Sequence, residues 1–318
     1  MPSHIYFALG MWEEASAINE RSVKAADARV ARQALDVDAR GLHAMLWLVY
    51  GYAQQGRYND ARAMLAQIET DAAKSGSTRL RSHLALARSA WLIETRKWGE
   101  AKNPVSADGL GKDAAIADLF AIGFAALRSG NRAGAGSALQ RMAELMEEAP
   151  VNGAAVSPAV NGTPVAVAPP AAGLPAAGSG GDLRAAQVMA QQLEAALLFS
   201  EGRRGEALVL ARQAAVVEDG LPSEFGPPLP VKPAYELVGE LLMDLRQPRE
   251  AVQAFELSLK RNPKRALSLL GLGRAATLAR DQAKARRAYG ELKDIWKHAD
   301  KNLPELKEIG ALAPPSSF

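Results

Sequence analysis

Four histidines occur in the 318 residues, and three of them, His4, His43 and His83, fall in the first third of the chain. Imidazoles bind anions when protonated and metals when neutral, so a shared surface would suit an anionic or metal-bearing ligand. A second set is acidic. Glu236, Glu240 and Asp244 are spaced by four, which places them on adjacent turns of one helix face. Lys232, Lys264, Arg265 and Arg274 are their expected neighbours. Such a set makes either a mixed-charge surface for a peptide or an internal ladder of ion pairs. The chain has no cysteine, which excludes disulfides, thiolate metal sites and a cysteine nucleophile. It carries no G-x-S-x-G, H-E-x-x-H or phosphate-loop motif. Gly271-Leu272-Gly273 lies in a helical pattern and is no dinucleotide loop. The expectation is therefore non-catalytic, with no cofactor.

The elements that must position these residues are helices. Ala, Leu, Glu, Arg and Gln dominate, and β-branched alternation is nearly absent. Gly239, Ala251 and Phe255 are repeated 34 residues later as Gly273, Ala285 and Tyr289. The recurring unit is a helix, a tight turn carrying Gly or Arg and an aromatic, then a second helix with a small residue near its start. Gly10-Met11-Trp12, Gly56-Arg57-Tyr58, Arg96-Lys97-Trp98, Gly130-Asn131-Arg132 and Gly202-Arg203-Arg204 are such turns. Ala15, Ala61, Ala101, Ala135 and Ala207 follow them, and two further units centre on Ala251 and Ala285. Glycine supplies the positive φ that ends the first helix, and alanine lets the two helices approach.

Residues 149–181 break the pattern. The stretch is uncharged and rich in Ala, Pro, Gly and Val, so it is expected to be a disordered linker. It separates repeats over 1–148 from repeats over 182–318, which are expected to pack as one continuous solenoid. Residues 222–233 (PSEFGPPLPVKP) alternate proline with apolar side chains and predict an ordered strap packed on that solenoid.

The 34-residue period and its Gly, Ala, aromatic pattern resemble the tetratricopeptide-repeat superfamily. MPSHIYFALGMWEEA, EFGPPLPVKPAYELVGELL and RALSLLGLGRAA are similar to segments of a group of bacterial repeat proteins of uncertain function. The resemblance implies an α-α superhelix of about six helical-hairpin repeats with a concave groove lined by first helices. In that register His4, His43 and His83 face the groove, as do Glu236 and Glu240, with Arg274 nearby. Phe7, Tyr50, Phe120, Phe124 and Phe199 would be its apolar lining. Adjacent repeats lie about 10 Å apart, too far for three imidazoles to share one zinc. Glu236 and Glu240 have the wrong sign for a clamp on a peptide carboxylate. The resemblance also implies an upstream half with more repeats and histidines. In the same register Met1 falls inside its unit's first helix, so a truncated chain, or a homodimer through that uncapped helix, is expected.

Net charge is +3, too small to attract nucleic acid or a membrane surface. The basic residues Arg286, Arg287, Lys293 and Lys297 are interspersed with acids and read as a solvated helix face. No apolar run is long enough to cross a membrane, and the N-terminus lacks the basic start of a signal peptide. As written, the chain is expected to be soluble and cytoplasmic, or periplasmic if an upstream half precedes it. The leading expectation is a scaffold that takes a protein or peptide segment in its groove. The alternative is the C-terminal half of a larger metal-handling or enzymatic protein that uses the N-terminal histidines.

Overall fold

The computed structural model describes residues 2–148, 183–222 and 226–312. The expected disordered linker, 149–181, lies outside the described residues, as does Phe225 of the strap. Among the described residues the structure is all-helical, with no strand. The chain runs α1 (Pro2–Ala8), α2 (Trp12–Gln33), α3 (Leu42–Gln54), α4 (Tyr58–Lys74), α5 (Thr78–Thr95), α6 (Lys112–Arg128) and α7 (Arg132–Glu147). It continues as α8 (Arg184–Ser200), α9 (Arg204–Asp219), α10 (Ala234–Asp244), α11 (Pro248–Arg261), α12 (Ala266–Leu278), α13 (Gln282–Ile295) and α14 (Glu305–Leu312).

Helices pack in adjacent pairs, and the pairs form two layers. In one layer α3, α5, α6, α8, α10 and α12 touch in succession. Helices α2, α4, α7, α9, α11 and α13 cover them. The layers differ in sequence for a physical reason. Every residue of α3 but His43 is buried, because neighbours cover it on all sides. The outer α2 buries only a stripe, Trp12, Ala15, Ser16, Asn19 and Val23. Helices α7 and α8, which flank residues 149–181, touch, and so do α6 and α8.

The turns follow one backbone rule. Gly10, Gly56, Arg96, Gly130, Gly202, Arg246 and Arg280 all take a positive φ, between 56° and 86°. In six of these turns the next N–H donates to the carbonyl five residues back, as in Met11 to Tyr6 and Asp281 to Ala276, at 2.8–3.0 Å. These bonds satisfy the last carbonyls of each first helix. The alanine four residues further on, at 15, 61, 135, 207, 251 and 285, is fully buried.

The third turn departs from the rule. Arg96 makes only the shorter bond to the Leu92 carbonyl, and a 3-10 turn, Trp98–Glu100, stands where a second helix was expected. Pro104, Gly109 and Gly111 oppose a helix there. The extended segment is held from α5 and α6 instead. Arg88 donates to the carbonyls of Lys102 and Asn103, and Asp118 accepts from the Val105 N–H at 2.8 Å. Among the described residues no helix is long and apolar enough to cross a membrane.

Candidate functional site

The N-terminal hairpins meet the C-terminal ones, and the expected acidic face lies inside that meeting. Trp12 Nε1 donates to the Lys264 carbonyl at 2.9 Å. Trp296 Nε1 donates to the Gln54 carbonyl at 2.9 Å. The Asp300 N–H donates to the Gly56 carbonyl at 3.0 Å, and Asp300 Oδ2 accepts from the Asn59 N–H at 2.9 Å.

At the centre stands Arg265, which has no exposed surface. It lies in the turn before α12 and reaches both halves of the chain. Its Nε donates to Glu236 Oε2 of α10 at 2.8 Å. Its Nη1 lies 2.7 Å from Glu94 Oε1 of α5 and donates to Tyr50 Oη of α3 at 3.2 Å. Lys232, from the strap, bridges Glu236 and Glu240 at 2.9 Å each. Arg96 adds a 2.7 Å bond to Glu240. Ser268 Oγ donates to Glu236 at 2.6 Å, and Gln54 Nε2 donates to Glu94 at 2.7 Å. Three cations thus face three carboxylates, and hydrogen bonds fill most of the remaining lone pairs, as a buried charge cluster requires.

The two central carboxyls differ. Burial pushes Glu236 up, but Arg265 and Lys232 outweigh it and hold its pKa well below the usual carboxylate range. Glu94 shares Arg265 but has no lysine; burial wins there and its pKa is raised. Burial also raises the Tyr50 phenol, so Tyr50 stays neutral.

Of the two readings open for the acidic face, this is the internal ladder. Glu236 is fully buried and Glu240 partly so, with 16% of its side chain exposed, and both are consumed by the chain's own cations. Arg274, expected beside them, pairs instead with Glu308 of α14, at 2.7 Å. Asp244 has Arg128 as its opposing charge. The apolar lining is corrected in the same way. Tyr50, Phe120 and Phe124 are 3%, 0% and 3% exposed and lie in the core. They meet a partner only if packed helices part. Phe199 is half-buried, with the Arg204 guanidinium 5.9 Å from its ring centre.

At the N-terminal end Phe7 is buried against Trp12, Trp47 and Tyr50. His4 and His43 flank Trp47, each 4.7 Å from it between ring centres, and lie 6.3 Å from one another. His83 Nδ1 is 2.8 Å from the Arg79 carbonyl. Burial lowers all three imidazole pKa values, so the rings are neutral near pH 7 and bring no positive charge to an anion. Among the described residues no group of three or more His, Cys, Asp or Glu side chains is placed to hold a metal ion. Ile5 of α1 and Leu9 just after it are 61% and 52% exposed.

From residue 226 onward the strap runs along this aromatic cluster. A Cβ on Gly226 would meet the Trp47 ring at 2.7 Å, so only glycine passes there. Val231 is buried in the core, and the Lys232 carbonyl accepts from Gln192 Nε2 at 2.9 Å. A cavity of about 60 Å³ remains between Pro228, Pro230, Phe7, Trp12 and Glu218. Glu218 accepts from the Ala234 N–H at 2.6 Å, where the strap becomes α10. Burial pushes its pKa up to about 7, against the pull of that N–H and of Arg261. Sequence reasoning missed both Glu94 and Glu218. Neither acid stands out within its own helix, and only long-range packing marks it out.

Fold and site together define an all-α protein of helices packed in adjacent pairs, with a buried charge cluster joining its two ends. No protein-family model matches the chain, and no curated protein matches it in sequence.

Proposed function

We propose that the chain is a tetratricopeptide-like scaffold of about six helical hairpins that holds a partner segment without chemically changing it. Its concave side is filled by its own helices, and partners use the surfaces that remain exposed. The seven left-handed turn residues and the buried alanines after them support the repeat reading. One observation carries the functional reading. Arg265 joins α3, α5 and α10 with no exposed surface, so the polar inner face that could hold a peptide is spent on closing the molecule.

Because the chain has no cysteine, a disulfide can lock this closure uniquely. The double variant Asn59→Cys/Asp300→Cys places thiols at a site where the two ends already share hydrogen bonds. Partners captured under native conditions by its oxidised and reduced forms are then compared. Capture by both forms alike is the expected result. Loss of capture on oxidation would show that partners need an opened groove, and would overturn the closed-scaffold reading.

A further inference from the structure

The hairpin turns carry arginines, and these fall into two groups. In the turns nearer the N-terminus each has a partner within the chain. Arg57 pairs with Asp60 at 2.7 Å, Arg96 with Glu240 at 2.7 Å, and Arg203 with Glu206 at 2.5 Å. Arg246, Arg249 and Arg280, in the last two hairpin turns, make no side-chain hydrogen bond or ion pair among the described residues. Glu250, beside Arg249, is engaged by Arg212 at 2.9 Å. Asp281, beside Arg280, caps α13 through the Lys284 N–H.

Two of the three unpaired arginines are also strained. Arg246 and Arg280 have φ of 58° and 64°, where the turns at 10, 56, 130 and 202 use glycine. An L-residue with a Cβ is disfavoured there. An arginine in that place, with no internal partner to hold it, is a backbone outlier that points to a role outside the fold.

The two turns border an open cleft of about 370 Å³, lined by Gln247, Pro248, Arg249, Glu250, Leu278, Ala279 and Arg280, with Glu250 held by Arg212. Leu278 is 62% exposed and offers an apolar floor between the charges. Arg249 and Arg280 line the cleft from neighbouring hairpins, which pack about 10 Å apart, and Arg246 stands beside it in the turn before α11. In a polyproline-II segment, which turns once every three residues, carboxylates at positions i and i+3 share one face about 9 Å apart.

We propose that this cleft binds an acidic segment of a partner protein in the polyproline-II conformation, with two carboxylates three residues apart and an aliphatic side chain between them. The proposal rests on the scaffold reading and assigns its partner surface. The arginines receive the carboxylates as forked hydrogen bonds, and Leu278 with Pro248 receives the aliphatic side chain.

The probe is a fluorescein-labelled peptide of sequence Ala-Glu-Leu-Ala-Glu-Ala, read by anisotropy at two salt concentrations. Its controls are the twin with glutamine for glutamate and a labelled oligothymidylate. The glutamine twin is expected to bind at least about tenfold more weakly. The double variant Arg246→Gly/Arg280→Gly is expected to lose at least about fivefold in affinity while its Tm holds or rises by about 2–4 °C, since glycine relieves both turns. Arg249→Gln, which leaves the turn backbone alone, is expected to weaken the peptide as well. Equal binding of the two peptides, tighter binding of the oligonucleotide, unchanged affinity in the variants, or a fall in Tm of the glycine variant would each overturn the assignment. Those outcomes leave the disulfide comparison untouched, so failure of this surface is distinguishable from failure of the scaffold reading.

Discussion

Two kinds of joint hold this molecule, and they obey different physics. Sequence neighbours are joined by shape. Phe255 of α11 wedges between Gly239 of α10 and Gly271 of α12, and Tyr289 of α13 sits on Gly273. Such joints are dry, local and repeated every 34 residues. The chain's ends are joined by charge. Arg265, Glu236, Glu94, Lys232, Glu240 and Arg96 meet from the strap, two helices and two turns. A wedge needs only the right volume, so neighbouring units reuse it. A buried charge cluster needs every partner in place, which fixes one arrangement of the ends and penalises all others.

The comparison is tested most severely at Arg265. Arg265→Ala leaves Glu236 and Glu94 buried, with only Lys232 close enough to answer Glu236. The expected loss is about 3–5 kcal/mol in urea unfolding. At intermediate urea, hydrogen exchange should rise first at α3, α5 and the α10–α12 region. A uniform rise, or a loss below about 1 kcal/mol, would mean that wedges alone hold the ends. Acid acts on the same joint. The folded pKa of Glu236 is depressed, so its contribution is present above the unfolded value near 4.5 and is lost as pH falls.

Next in size is Glu218, where the sign is opposite. Its folded pKa is raised to about 7 from 4.5, so the folded state holds the proton more tightly than the unfolded chain. Its stabilising effect is full below about pH 4.5 and is lost as pH rises through about 7. The shift is worth about 3 kcal/mol over that window. Asp118, raised to about 6 by burial, adds to it, while the three lowered histidines oppose it below about pH 6.5. The difference between wild type and Glu218→Gln isolates the carboxyl. The Gln amide oxygen still accepts from Ala234, so the variant is expected to gain on wild type as pH rises from 5 to 8. Parallel curves would show that Glu218 titrates as an exposed acid.

What the sequence made legible follows the same division. The turn residues at 10, 56, 130 and 202 could be located because a backbone that must turn left-handed selects glycine, and the alanine after each because two helices cannot otherwise touch. The strap's packing was legible from prolines between apolar residues, and its Val231 and Lys232 are buried. The same pattern misled at Ala101, where the repeat spacing outweighed the evidence of Pro104, Gly109 and Gly111. The site was legible only by composition. The register placed Glu236 and Glu240 on one face, and the ladder with Lys232 was one of two readings. Neither Glu94 nor the move of Arg274 to Glu308 could be read, because both depend on where distant helices arrive. The register also assigned Tyr50, Phe120 and Phe124 to a groove. An apolar first helix covered on all sides buries the face that a repeat pattern alone leaves open.

The smallest effects separate a wedge glycine from a merely helical one. Gly239 and Gly136 both lie in helices, and glycine costs each helix about 1 kcal/mol relative to alanine. A Cβ on Gly239 would stand 2.8–2.9 Å from three carbons of the Phe255 ring. That ring is 2% exposed and already pressed by Gly271 from the other side, so it cannot retreat. A Cβ on Gly136 would meet nothing within 4 Å. Gly239→Ala is therefore expected to destabilise by about 1–2 kcal/mol, the helix gain being outweighed by overpacking. Gly136→Ala should stabilise by up to about 1 kcal/mol. Thermal unfolding of the two variants side by side gives the sign of each. Stabilisation by both would mean that Phe255 has room to move, and that the neighbour joints are looser than the charge cluster that closes the chain.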